Sequence, residues 1–227
     1  MRAAALLLAL AAVVLAATAS PGAPQTPLPA TLRLLGFSTQ LSPGTSQTCR
    51  QAIAQAVDRD AVAAAAAPQL PQRPFAAVSI QHPAVSGYVP GAPVYAYDPA
   101  RAKELYGQCG YGGTLRISIW TTTAGAMQVS IDAVAESLRR NLGAPVEFNR
   151  VTSLDLLLFA ARTGSVPMWI VDWVSSPANA GYPSFALGIG GTLVTDPDVR
   201  TLVAKGDVRG AEALMLQRAL VVPIIYY

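Results

Sequence analysis

The sequence predicts an α/β lobe in which helices flank a mostly parallel sheet. Between Leu115 and Val174, the spacing of apolar residues alternates between a two-residue period, typical of strands, and a 3.6-residue period, typical of helices. Such alternation favours parallel strands joined by right-handed helical crossovers. We therefore expect residues 114–174 to form three parallel strands joined by two helices, with the strand Val166–Val174 buried.

The sequence of residues 31–97 predicts a strand, a helix and a long loop. Thr31–Phe37 has the composition of a short strand, and Thr48–Ala66 places apolar residues at helical spacing until Pro68 ends the pattern. From Pro68 to Tyr97 the chain is rich in proline but also carries aromatic residues, which favours an ordered loop over a linker. Within the helix, Asp58-Arg59-Asp60 is typical of an exposed ion-pair cluster.

The later elements follow from cap residues and periodicity. Asp98-Pro99 is typical of a helix start and Gly110 of a helix end, and Ser153 has the chemistry of another N-cap. The predicted elements are a helix from Asp98 to Cys109, strand Leu115–Thr121, helix Ala126–Leu142, strand Val146–Val151, helix Ser153–Ala161, strand Val166–Val174, helix Val199–Leu220 and strand Val221–Tyr227.

The N-terminal segment predicts export. Arg2 precedes the apolar run Ala3–Ala17, and Ala17-Thr18-Ala19 has the small residues of a cleavage site. We interpret residues 1–19 as a signal peptide, residues 20–31 as a Pro-rich leader and residues 32–227 as the folded domain. The residue directly after the cleavage site is Ser20 and not a cysteine, so we expect a periplasmic or secreted protein without a lipid anchor. An uncleaved N-terminal anchor is the alternative, although the run is short for a membrane span.

Composition argues against several functions. Charged residues make up 13% of the chain, the net charge is +3 and no cluster of Lys and Arg occurs, so nucleic-acid binding is not expected. His82 is the only histidine, and no Gly-x-Ser-x-Gly motif accompanies it. We therefore expect no catalytic residue, no metal site and no cofactor. Cys49 and Cys109 either form a disulfide or remain separate, since two cysteines alone do not establish their distance.

The segment MWIVDW, Met168–Trp173, is the candidate binding motif. Asp172 is a single carboxylate between Trp169 and Trp173 at the end of an apolar strand, where an unpaired charge is costly. A ligand ammonium is a suitable partner for such a carboxylate. Two alternatives remain: the indoles are ordinary core aromatics, or Asp172 caps a turn at residues 175–177.

Four segments in register resemble the C-terminal half of the family 5 extracellular solute-binding proteins, the peptide-, dipeptide- and nickel-binding receptors of ABC importers. These segments are CRQAIAQAVDRDAV (49–62), YDPARAKELYGQCGY (97–111), WIVDW (169–173) and RALVVPIIYY (218–227). The resemblance covers residues 32–227 and implies a periplasmic-binding-protein-like lobe. It also implies a non-catalytic function, with a membrane permease as partner and a peptide or other amine-bearing solute as ligand.

The resemblance assigns roles to individual residues. In oligopeptide-binding members, an Asp at the offset of Asp172 binds the ligand's α-ammonium group, and the preceding Trp, here Trp169, forms a pocket wall. We expect Trp173 to contact the ligand as well. An Arg that some members place three residues before the Trp is Val166 here, so that contact is not expected. Without ligand, Asp172 has no obligatory partner in this interpretation.

The chain is truncated relative to the two-lobed family, because the first lobe is not encoded in it. Either it is a shortened gene product that kept its export signal, or a second chain supplies the missing wall. A vestigial secreted domain that no longer binds solute is the alternative function. In both cases we expect the strand Val221–Tyr227 to leave an exposed apolar edge, prone to aggregation or dimer contact.

Overall fold

The computed structural model describes residues 30–83, 88, 95–110, 116–122, 128–175, 194 and 196–227. The predicted signal peptide and nearly all of the Pro-rich leader lie outside the described residues. The strands are β1 (Ala30–Phe37), β2 (Phe75–Ala76), β3 (Ile117–Thr122), β4 (Val146–Val151), β5 (Met168–Ser175) and β6 (Val221–Tyr226). The helices are α1 (Gln47–Ala56), α2 (Arg59–Ala66), α3 (Pro99–Gly107), α4 (Gln128–Leu142), α5 (Leu154–Arg162), α6 (Pro197–Ala204) and α7 (Val208–Gln217).

The strands form one six-stranded sheet in the order β2-β6-β1-β5-β3-β4. β3 pairs in parallel with β4 and with β5, which confirms the predicted parallel unit, but the predicted burial of Val166–Val174 is wrong at its end, where Val174 is 50% exposed. β1 pairs antiparallel with β5 and β6, and β6 pairs antiparallel with β2. The α/β lobe is therefore confirmed, but its sheet is mixed rather than mostly parallel, because strands from both ends of the domain enter its middle.

The C-terminal strand β6 is part of the core, so the prediction of an exposed apolar edge is wrong. It lies between β1 and β2, and every residue from Val221 to Tyr226 is buried. Pro223 is tolerated inside the sheet because the β1–β6 register shifts opposite it, between Arg33 and Leu34. The apolar character of this strand is explained by pairing on both sides.

Two long predicted helices are each divided in two. Asp58 accepts a hydrogen bond from the Ala61 amide at 2.9 Å and starts α2, so the pattern Thr48–Ala66 breaks after Ala56. Asp207 caps α7 in the same way, and Gly206 adopts a positive φ of 74° just before it. In both cases an Asp side chain satisfies the orphan amides of a new helix, which periodicity alone does not reveal.

The helices cover both faces of the sheet. Helices α1 to α4 pack on one face with Leu35, Phe37, Met168 and Ile170, forming the first core. Helices α5 to α7 pack on the other face with Leu32, Leu34, Trp169 and Val171, forming the second core. In the first core, Cys49 of α1 and Cys109 beyond α3 form a disulfide with a Cα–Cα distance of 5.3 Å. Among the described residues, no helix has the length and apolarity needed to cross a membrane.

Candidate functional site

The predicted anchor Asp172 lies near the carboxyl end of β5, directly across from Arg33 of β1. Arg33 Nε donates to Asp172 Oδ1 at 2.8 Å, and Arg33 Nη2 donates to Oδ2 at 3.2 Å. The Arg33 side chain is 1% exposed and that of Asp172 is 16% exposed. The pair therefore presents one edge of a carboxylate to solvent while its cation is buried.

Tyr227 completes this cluster. Its hydroxyl lies 3.4 Å from Arg33 Nη2, and the guanidinium carbon lies 5.6 Å from the centre of its ring. Burial would lower the pKa of Arg33, but the hydrogen bonds and charge of Asp172 outweigh it and raise that pKa. Burial, followed by the Asp172 charge, raises the pKa of the Tyr227 hydroxyl. The expectation that Asp172 has no partner without ligand is therefore wrong.

Arg33 was not predicted from the sequence, although a signal was present. It is the only charged residue in the apolar strand segment Thr31–Phe37, just as Asp172 is the only one in Met168–Trp173. Two lone opposite charges in apolar strands each need a partner, and pairing with each other satisfies both. This complementarity would have placed β1 beside β5.

The two tryptophans lie on the other face of β5 from Asp172, because successive side chains of a strand alternate between faces. Trp169 is 1% exposed in the second core, and Trp173 packs against that core while only partly buried. Trp169 also lies against Gly36, where an added Cβ would overlap its ring. The structure thus brings Trp169 and Trp173 to one face and places Asp172 on the other.

Trp169 has a further neighbour at the same face, since Trp120 of β3 lies beside it in the parallel register and also packs against the second core. The indole Nε1 of Trp169 is buried and has no acceptor among the described residues.

The alternative role of Asp172 as a turn cap involves Ser176 and Pro177, which lie outside the described residues. Ser175 is still part of β5.

Arg50 and Arg59, from the first resembling segment, bind the last one. Arg50 donates from Nε and Nη2 to the carbonyl of Arg218, at 3.0 Å and 2.9 Å. Arg59 donates to the carbonyls of Pro223 at 2.8 Å and Tyr95 at 2.9 Å. Burial lowers the pKa of Arg59 to about 10. The prediction of an exposed ion-pair cluster at residues 58–60 is therefore wrong for Arg59, which is 6% exposed.

Comparison with known proteins gives one family. The sequence model of the family described as "Bacterial extracellular solute-binding proteins, family 5 Middle" matches residues 10–191. No curated protein sequence matches the chain.

Solved structures of similar fold are larger proteins. The Escherichia coli murein tripeptide binding protein MppA is 20% identical with a TM-score of 0.71, over 87% of this chain and 42% of its own. DppA from Helicobacter pylori, in complex with peptide STSA, is 20% identical with a TM-score of 0.69, over 87% and 43%. A dipeptide binding protein from Pseudoalteromonas sp. SM9913, in complex with Met-Leu, is 18% identical with a TM-score of 0.69, over 87% and 44%. The chain thus spans less than half the length of these proteins.

Proposed function

The chain belongs to the bacterial extracellular solute-binding proteins of family 5, and we propose that it is the extracytoplasmic solute-binding component of an ABC importer. In this proposal it binds peptides or other amine-bearing solutes and catalyses no reaction. Two solved structures of similar fold are complexes with peptides, STSA and Met-Leu, and they support this ligand class.

The observation that carries the proposal is the Arg33–Asp172 pair. An ionised carboxylate has about four acceptor positions; Arg33 uses two of them, and the Tyr227 hydroxyl also hydrogen-bonds to Asp172. The remaining position, on the edge of the carboxylate that faces solvent, suits a ligand ammonium, which forms a strong charge-assisted bond with a carboxylate held in place. Asp172 lies near the carboxyl end of β5, beside the parallel strand β3, and that edge of a parallel unit is where ligands commonly bind.

Trp173 and Trp169 are the other proposed ligand contacts. Trp173 is partly exposed at the same strand end and offers an indole surface to a bound side chain. Trp169 is almost completely buried, so its contact requires a movement of the residues that cover it. Because both indoles lie on the face opposite to Asp172, the ligand in this proposal passes around the end of β5.

Export and partners form the second part of the proposal. Residues 1–19 direct the chain to the periplasm or the medium, and the Cys49–Cys109 disulfide is in keeping with an oxidising compartment. A membrane permease receives the solute. A second chain that supplies a further wall of the binding site is the other partner in this proposal.

Isothermal titration calorimetry with di- to pentapeptides tests the binding proposal. We expect peptides with a free α-amine to bind and the same peptides with an acetylated amine to bind at least about tenfold more weakly, because one charge-assisted bond is lost. Asp172→Asn should weaken binding of the free-amine peptides to a similar extent, and Asp132→Asn, which changes an exposed carboxylate on α4, is its matched control.

A vestigial secreted domain that no longer binds solute is the second candidate function. It is favoured by the fact that Arg33 already neutralises Asp172 within this chain. Absence of peptide binding at millimolar concentration, with and without a co-expressed candidate second chain, would support it over transport.

A further inference from the structure

Helix α5 has an exposed apolar face. Phe159 is 55% exposed and Leu156 is 49% exposed, while Leu157 and Leu158 on the other side of the helix are buried in the second core. Phe159 borders a groove of about 310 Å³ whose lining also includes Leu158, Asp155 and Arg162. A nine-residue helix with so few polar residues normally has apolar partners on more than one side.

The charges on this face have a symmetric arrangement. Asp155 and Arg162 are seven residues apart, so they lie on the same stripe of the helix two turns apart, with Phe159 between them. The midpoint between Asp155 and Arg162 falls between Leu158 and Phe159. An antiparallel copy of α5, related by a two-fold axis through this midpoint, would bring Asp155 of each chain to Arg162 of the other.

We propose that α5 is the contact surface for a second copy of this chain, forming a two-fold symmetric, antiparallel helix pair. The two-fold axis makes both ion pairs equivalent, as an isologous interface requires. Each Phe159 ring enters the groove beside Leu158 of the second copy, and each Arg162, whose guanidinium carbon lies 5.7 Å from the centre of the Phe159 ring, bridges that ring to Asp155 of the second copy. One helix face is small for an interface, so the dimer is reversible.

Charge complementarity favours a second copy over other occupants. A second copy necessarily carries the same acid and base two turns apart, so its antiparallel α5 matches this face without any further condition on its sequence. The proposal does not involve Asp172 and Arg33, which lie on the other face of the sheet, toward the first core, whereas the proposed ligand contacts Trp169 and Trp173 share the face that α5 covers.

Sedimentation velocity of the purified protein over a range of concentrations tests the proposal. We expect a dimer that dissociates on dilution, and we expect Asp155→Arg or Arg162→Asp alone to weaken it at least about tenfold, since each places like charges together twice. An equimolar mixture of these two variants should regain the dimer, because a mixed pair again places one acid opposite one base at both ends of the interface. Phe159→Ala should also weaken the dimer, whereas Phe75→Ala, at a residue 47% exposed elsewhere, should not.

Circular dichroism of each variant establishes that it is folded, and Asp155→Asn with Arg162→Gln provides a milder pair if a charge reversal unfolds the chain. A protein that is monomeric at all concentrations would overturn the proposal. So would a dimer that tolerates both single reversals, or single variants that do not regain the dimer when mixed.

Discussion

The Nε atom of Arg59 donates a hydrogen bond to the carbonyl oxygen of Pro223, across 2.8 Å and 164 residues of sequence. This bond joins the start of α2 to the middle of β6, next to the register shift opposite Pro223. The segments at 49–62 and 218–227 therefore occur together in the sequence for a structural reason. These two segments hold the helical layer on the sheet. This structural role differs from the role proposed for Asp172, which is to bind the solute.

Arg59→Met is expected to destabilise the protein by about 2–4 kcal/mol, because the buried carbonyl of Pro223 and the partly buried carbonyl of Tyr95 both lose this donor. Urea unfolding measures the loss. Arg73→Met, at an exposed position, is the control and should change stability by less than about 0.5 kcal/mol. Equal stability of the two variants would show that Arg59 is not needed to hold β6.

Arg33 and Asp172 are expected to behave as a coupled pair. Asp172→Asn leaves the buried guanidinium without its counter-charge and should cost about 3–5 kcal/mol of folding stability. The double variant Arg33→Met/Asp172→Leu should recover most of this loss, since apolar residues of similar volume can replace a buried ion pair. A double-mutant cycle by denaturant unfolding measures the coupling, and additive effects would argue against it.

Local signals predicted much of this fold. Asp98 and Ser153 cap α3 and α5 as expected, because an N-cap depends on residues within one turn. The parallel unit β3-β4-β5 also followed from alternating periods. The position of β1 did not, because Arg33 and Asp172 are 139 residues apart and the periodicity of a strand does not show which distant strand pairs with it.

The candidate site was only partly predictable for the same reason. Asp172 stood out as a lone charge, but its environment depends on β1 and on Tyr227, which come from the two ends of the domain. Strand alternation, which can be read from the sequence, would have separated Asp172 from Trp169 and Trp173 onto opposite faces.

The Cys49–Cys109 disulfide is expected to stabilise the protein by about 4 kcal/mol, since it closes a loop with a sequence separation of 60. Cys49→Ser/Cys109→Ser should lower the unfolding midpoint accordingly. The reduced wild type should show the same midpoint as the double variant. A double variant as stable as the oxidised protein would show that the cross-link contributes nothing.

Gly36→Ala is expected to destabilise the fold by about 1–3 kcal/mol, because the new methyl group would overlap the Trp169 ring. Trp169→Leu in the same chain should relieve the overlap, so the double variant should be more stable than the sum of the single effects predicts. Gly107→Ala, where an added Cβ meets nothing within 4 Å, is the control. Thermal unfolding measures all of them.

Asp196 is expected to make stability fall in acid. Burial alone would raise its pKa, but hydrogen bonds from Arg218, Val199 and Asp198 outweigh this and lower the pKa below 3.8. A carboxyl whose pKa is lower in the folded state contributes stability above its unfolded pKa, and this stability is lost as the pH falls through the folded pKa.

Asp196→Asn keeps a capping side chain for α6 but removes the charge. The variant should therefore be less stable than wild type at neutral pH, and the two should converge as the pH falls below 3.8. Urea unfolding at several pH values measures this, and a constant difference between the two proteins at every pH would contradict it.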